Sequence, residues 1–219
     1  MSQLILAVDT THEFGSLALA RDAELIEEVP LHAPTGFSQV LYRHLAELLE
    51  RHGLQAKEID CFAAASGPGS FTGVRVGLTC VKGLAEALGK PAVAISNLQA
   101  MATFGTAALR AVVLDARRGE VYGAMYDGGA RLVSPETVAK LPEWLASLPE
   151  GPLEFVAQDF TPFQAMLVGT RYQSAPVVTA PGALAAAVAR LALAQHPGDP
   201  AALDANYVRR SDAELFWKE

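Results

Sequence analysis

The stretch from Cys61 to Leu88 constrains this chain more than any other. The apolar run Cys61–Ala65 reads as a buried strand, and Ser66-Gly67-Pro68-Gly69-Ser70-Phe71-Thr72-Gly73 follows it. Beyond this turn Val74, Leu78, Val81, Leu84, Ala85 and Leu88 recur at helical spacing, which predicts a helix opening near Thr72. Ser70 or Thr72 supplies the N-cap, and Pro68 stiffens the loop. The glycines admit backbone angles closed to other residues. Two readings stand side by side. The first-turn amides of a helix have no intrahelical partner, so this geometry suits an anion such as phosphate. Equally, a tight turn of small residues lets a helix pack closely on its own sheet. Neither the Walker spacing nor the dinucleotide fingerprint is present.

With 219 residues, 51% of them apolar, the chain has material for one large domain or two small ones. A net charge of -7 argues against a large nucleic-acid surface on this chain alone, but not against RNA work inside a complex. Cys61 and Cys80 lie in apolar surroundings and read as buried, inert thiols. The pattern of a signal peptide is missing, and no apolar run is long enough to span a membrane, so a cytoplasmic protein is expected.

In the first half, Leu4–Val8 reads as a central strand ending in Asp9-Thr10-Thr11, and Gly15–Ala20 and Glu24–Val29 as a returning hairpin. Asp9 and Thr10 could touch a phosphate or a metal-bound water, or could only satisfy turn backbone groups. Phe37 to His52 forms a helix with Ser38 as N-cap and Val40, Leu41, Leu45, Leu48 and Leu49 on one face. His44 and His52 have no third ligand near in sequence, so a solvated or partner-facing role is expected. Strand Ala92–Ile95 and a short helix, Leu98–Phe104, complete a mixed sheet with packed helices.

In the second half, strands Ala111–Leu114 and Val121–Tyr126 flank Asp115-Ala116-Arg117-Arg118-Gly119-Glu120. A strand, an Asp-containing turn and a second strand thus recur after roughly a hundred residues, which suggests two related α/β halves, residues 1–104 and 105–219. Helices Pro142–Leu148 and Pro162–Val168, strand Leu153–Ala157 and an Ala-rich helix Gly182–Gln195 follow. His196 to Pro200 breaks that helix, and an extended polar tail begins at Asn206, with Phe216 and Trp217 near its end. Arg117 and Arg118 are expected to be exposed. They would contact partner carboxylates or RNA phosphate, or pair internally with Asp115 or Glu120.

Four segments, taken together, resemble the TsaB (YeaZ) family of tRNA threonylcarbamoyladenosine biosynthesis. They are Ile5-Leu6-Ala7-Val8-Asp9-Thr10-Thr11, Gly67-Pro68-Gly69-Ser70-Phe71-Thr72-Gly73, Asp115-Ala116-Arg117-Arg118-Gly119-Glu120-Val121-Tyr122 and Tyr207-Val208-Arg209-Arg210. The resemblance implies two related halves of the actin, Hsp-seventy and sugar-kinase superfamily, each a mixed sheet with flanking helices. It implies a non-catalytic subunit supporting the catalytic paralogue TsaD in threonylcarbamoyl transfer to the adenosine beside the anticodon. The ATPase TsaE is a further implied partner, tRNA is met only through the complex, and the isolated chain is a homodimer. No cofactor is expected on this chain alone, with ATP or ADP reserved for the complex. A vestigial nucleotide site would comprise Asp9, Thr10, Gly69 and Gly73. The residues agree with a non-catalytic role. Ala116-Arg117-Arg118 stands where a kinase of this superfamily has a second Gly-rich phosphate turn, and Val156-Ala157-Gln158-Asp159 is not Gly-rich where an adenosine loop is needed. There is no histidine pair like the one with which the catalytic paralogue holds its metal.

The family likeness sets Phe37–Leu49 and Thr72–Leu88 side by side as an interface. Gly73, Gly77, Thr79, Cys80, Gly83 and Ala85 make the second helix small-faced, fit for close approach by its own sheet or by a partner helix pair. The expected contact residues are Val40, Tyr42, Arg43, Val74, Gly77, Val81 and Leu84, with Phe71 also free to face outward. Two rival classes are an autonomous ATP-dependent kinase or acyltransferase using Asp9, Thr10, Gly69 and Gly73, and a metalloprotease. The second is disfavoured because no ligand cluster or activated nucleophile is legible.

Overall fold

The computed structural model describes residues 2–195 and 198–209, which fall into two compact units. The first unit comprises Met1–Asn97 and Gly182–Asn206, the second Leu98–Pro181 and Tyr207–Glu219.

In the first unit β1 (Leu4–Asp9), β2 (Phe14–Arg21) and β3 (Glu24–His32) form an antiparallel meander. Strands β4 (Cys61–Ala65) and β5 (Ala92–Ile95) add in parallel, giving the order β3-β2-β1-β4-β5. Side-chain alternation splits this sheet into two faces of different character. The rows Leu19–Leu6–Phe62–Ala92 and Leu17–Val8–Ala64–Ala94 join the core shared with α1 (Leu41–Arg51) and α2 (Phe71–Leu88). The opposite row, Ala18–Ala7–Ala63–Val93, is small. Helix α6 (Ala185–Ala194), with buried Ala185, Ala187, Val188, Ala189 and Ala192, packs on that side across β1, β2 and β4. Its first amides are met by tertiary caps: Ala185 N–H donates to Ser16 Oγ (2.9 Å) and Ala186 N–H to Glu28 Oε1 (2.9 Å).

The second unit repeats the plan. Strands β6 (Leu109–Arg117), β7 (Glu120–Asp127) and β8 (Leu132–Lys140) form an antiparallel meander, and β9 (Glu154–Ala157) and β10 (Val177–Thr179) add in parallel in the order β10-β9-β6-β7-β8. One face carries α4 (Leu141–Ser147) and α5 (Thr161–Gln164), whose Trp144 and Phe163 join Val113, Val121, Met125 and Phe155 in the core. A Cβ at Gly123 would enter the Trp144 ring. The pair Arg110–Glu154 is buried beside the sheet; Glu154 accepts the Ala107 N–H at 2.8 Å, and Arg110 Nη1 donates to the Ala102 carbonyl at 2.8 Å. The remaining helix, α3, spans Asn97–Ala102.

Two mixed sheets with flanking helices, as expected, therefore carry the chain. The grouping differs from a division at residue 104. It changes at Asn97, and Gly182–Asn206 belongs with the first sheet. The cause is the Ala-rich face of that sheet, which α6 covers, and a relation of that kind has no local sequence signature. Strands β8 and β10 escaped the pattern reading. Pro135 interrupts β8, which an edge strand tolerates, and β10 has three residues. Helix α1 opens at Leu41, with Val40 at its N-cap and no side-chain cap, rather than at Phe37 with Ser38. The expected helix Pro162–Val168 is α5 followed by a short 3-10 turn, Ala165–Leu167. Residues 196 and 197 of the expected breaker, and the tail from 210 to 219 with Phe216 and Trp217, lie outside the described residues.

Candidate functional site

The Gly-rich turn, the Asp9–Thr11 turn and Asn97 interlock at the C-terminal ends of β1, β4 and β5. Ser70 is the N-cap of α2, its hydroxyl accepting the Gly73 N–H at 3.3 Å. Ser70 N–H donates to the Thr11 carbonyl (2.7 Å), and Thr10 Oγ1 donates to the Gly73 carbonyl (2.7 Å). Buried Asn97 donates from Nδ2 to Thr11 Oγ1 (2.5 Å) and accepts the Gly67 N–H at Oδ1 (2.9 Å). A Cβ on Gly69 would lie 2.7 Å from the Thr11 carbonyl oxygen, and one on Gly73 would collide with that of Thr10. Only Gly67 of these three needs a positive φ, at 98°. Gly69 and Gly73 are glycines because backbone passes where a side chain would start.

The four residues expected to hold a nucleotide are thus brought together, with Thr10 bonded to Gly73 and Asp9 to Thr11. The Ser70 and Gly73 amides that would face a phosphate are already donating, and Thr11 walls Gly69. Those two amides are committed to the chain's own oxygens. Asp9 is fully buried, and its Oδ1 accepts the Thr11 N–H (2.9 Å) and hydroxyl (2.6 Å). Among the described residues its Oδ2 has no hydrogen-bond partner. Burial pushes the Asp9 carboxyl above the usual carboxylate range, opposed by the Thr11 hydrogen bonds and reinforced by the charge of Glu28. Among the described residues, no three of His, Cys, Asp or Glu converge to hold a metal.

A second feature lies on the outer side of α1 and α2. A groove of about 430 Å³ is lined by Ser38, Tyr42, Phe71, Thr72, Arg75, Val76 and Thr79. Tyr42 is 56% exposed and Phe71 49%, unusual values for aromatic side chains on adjacent helices. The Arg75 guanidinium lies 3.7 Å over the Phe71 ring. The Tyr42 hydroxyl is raised, first by the charge of Cys80 and then by burial. Burial pushes the Cys61 and Cys80 thiols up to about 11, as expected of inert cysteines.

Of the expected contact residues, Tyr42 and Arg43 are exposed, and Val40 and Leu84 are half-buried against their own core. Val74, Gly77 and Val81 are buried inside the unit, and a Cβ on Gly77 would lie 2.6 Å from Thr10 Oγ1, so these three face the chain's own sheet and not a partner. Helical spacing marks a stripe without saying which side the sheet takes. Ser38, Thr72, Arg75, Val76 and Thr79 lie within the two segments expected to form an interface but were not among the named contact residues. The pairing of Phe71 with Arg75 four residues on was the available signal.

Arg117 and Arg118 occupy the β6–β7 turn and are exposed, as expected. Arg117 pairs with Asp115 at 3.6 Å, one of the two internal arrangements anticipated, while Glu120 pairs with Arg209.

The family model that matches, over residues 27–203, is that of TsaD, the tRNA N6-adenosine threonylcarbamoyltransferase. The tRNA threonylcarbamoyladenosine biosynthesis protein TsaB of Bacillus subtilis is 31% identical over 98% of both chains. The structure of YeaZ from Pseudomonas aeruginosa superimposes with a TM-score of 0.75 at 25% identity, over 88% of this chain and 92% of that one. At the level of fold alone, component A of the (R)-2-hydroxyglutaryl-CoA dehydratase of Acidaminococcus fermentans is also similar, with a TM-score of 0.50 at 11% identity, over 88% of this chain and all of that one. The chain belongs to the TsaB (YeaZ) family of tRNA threonylcarbamoyladenosine biosynthesis proteins.

Proposed function

We propose that this chain is a non-catalytic subunit that supports the catalytic paralogue TsaD in threonylcarbamoyl transfer to tRNA, and that the α1–α2 groove is where the two meet. The observation that carries this reading is the contrast between the two features just described. The loop that would serve a nucleotide is filled by the chain's own backbone, whereas the α1–α2 face carries solvent-exposed aromatics around an unfilled groove. Exposed Tyr42 and Phe71 are the residue types that anchor interfaces. In isolation a second copy takes the same face through an isologous contact. TsaE, tRNA and any ATP or ADP then join only at the level of the complex, in the cytoplasm.

Co-purification and sedimentation with TsaD test this. Thr79→Arg places a bulky cation in the groove from an exposed helical position and should weaken the complex at least about tenfold, the cost of one misplaced charge at an interface core. Its melting temperature should match the parent's. Binding that is unchanged would move the interface elsewhere. The autonomous-kinase reading has one observation in its favour, the unpartnered Oδ2 of Asp9. ATP turnover by the isolated chain, abolished in Asp9→Ala, would establish it instead.

A further inference from the structure

We propose that residues 198–206 form a strap that holds α2 in place as one wall of the α1–α2 groove, with Lys82 and Asn206 as positioning residues; the link to a partner rests on the reading of that groove as an interface. The strap carries no regular structure beyond one 3-10 turn, Pro200–Ala202, which packs on α2, so tertiary bonds hold it. At its start Gly198 exchanges two backbone hydrogen bonds with Ala92 of β5, at 3.1 and 3.3 Å. Midway, Leu203 is buried in the core that α2 shares, and Lys82 Nζ donates to the carbonyls of Ala201 (3.1 Å) and Leu203 (2.9 Å). At its end the Asn206 N–H donates to the Ser66 carbonyl (2.8 Å), and its Nδ2 donates to that of Gly67 (3.3 Å).

These fastenings fall at the two ends of one helix side. Ser66 and Gly67 open the turn whose Ser70 caps α2, and Phe71, the first residue of α2, lines the groove. Lys82 stands at the other end. Arg75, Thr79 and Lys82 follow one another at spacings of four and three, so they share one side of α2, and Lys82 lies one turn beyond the last lining residue. A lysine in such a place ordinarily stays in water with its rotamers free. Here its ammonium is spent on two carbonyls of a single segment, bonds of the stronger, charge-assisted kind. With the strap fastened, Phe71 to Thr79 stand fixed as a wall of the groove. With it released, both ends of that helix side lose their ties, while the buried stripe toward β1 remains. A partner that grips Phe71 and Thr79 together therefore binds the fastened form better, and its binding protects the strap in return.

Hydrogen exchange read amide by amide tests this, on the isolated chain and on its complex with TsaD. Lys82→Met keeps the length of the side chain and removes both bonds. Exchange at Ala202, Leu203 and Asn206 should quicken about tenfold or more, the effect of losing hydrogen bonds to a charged group. Exchange at Val74, whose N–H donates to the Ser70 carbonyl at 2.8 Å, should quicken with them, and affinity for TsaD should fall about threefold. Lys82→Arg should restore all of these. Asn206→Ala cuts the opposite fastening and should give the same pattern, which keeps the test decisive if Lys82→Met does not fold. Binding of TsaD to the parent should in turn slow exchange in the strap. A strap that quickens while Val74 exchange and TsaD affinity hold the parent's values overturns the proposal, and so does a strap left unchanged by both variants. Should the parent fail to bind TsaD, the subunit reading falls, and Val74 exchange in the isolated chain still decides whether the strap holds α2.

Discussion

Replacing Gly73 by alanine is the sharpest probe of the interlocked turns. The added Cβ would lie far inside van der Waals contact of the Thr10 carbonyl oxygen, with the Thr10 carbonyl carbon at 3.1 Å and Ser70 Cβ at 3.3 Å. The obstacle is backbone, so no rotamer change relieves it, and the strand end or the helix must shift. Overpacking of this kind costs up to about 3 kcal/mol. The shift also strains the bonds from Thr10 Oγ1 to Gly73 and from Ser70 to Thr11, each worth about 1 kcal/mol. Alanine returns up to about 1 kcal/mol of helix propensity, less in a first turn. The net loss is roughly 2–4 kcal/mol, and Gly73→Val should exceed it. On a chain of this size that lowers the melting temperature by about 4–16 °C. Gly83→Ala is the internal control. It lies on the same helix with nothing within 4 Å of its Cβ, so it should gain up to about 1 kcal/mol. Calorimetry and urea unfolding followed by circular dichroism read both. If Gly73→Ala melts with the parent, the two turns do not press together and the account of the glycine loop is wrong.

The remaining expectations concern titration and reactivity. The folded state holds the Asp9 proton more tightly than the unfolded chain, so its contribution to stability is present below the unfolded carboxylate value near 3.8 and diminishes as pH rises toward the raised folded value. Asp9→Asn should flatten that part of the curve of urea midpoint against pH from 4 to 8; identical slopes in the two proteins would show that Asp9 titrates normally. With thiols raised to about 11, Cys61 and Cys80 should react with a maleimide at pH 8 only at the rate of unfolding, and rapid labelling of the native protein would contradict their burial.

What the sequence made legible follows the range of the signals. Leu4–Val8, Cys61–Ala65 and the cap at Ser70 are local features, and each appears where pattern and chemistry put it. The likeness of the halves was visible only as a recurring strand–Asp turn–strand, because the third strand of the second meander, β8, carries Pro135 and lacks clean alternation. The glycine loop was correctly located but open to two uses. Which use prevails depends on Thr10 and Thr11, some sixty residues away, whose carbonyls occupy the space. For the same reason Val74, Gly77 and Val81 were assigned outward. Spacing on α2 gives two stripes, and only the position of β1 decides that these three turn inward while Phe71, Arg75 and Thr79 turn out.

The placement of α6 has a consequence for how the protein comes into being. The first sheet is assembled from residues that leave the ribosome early, yet its alanine side stays bare until residues near 194 have been made. Ser16 and Glu28 wait through that interval for amides supplied by Ala185 and Ala186. The nascent first half is therefore an open-faced sheet, dependent on a helix encoded after the whole second sheet. Its completion is bound to the synthesis of α6 rather than to its own length, so a fragment cut at residue 104 would carry every strand of the first sheet and still lack one side of its core.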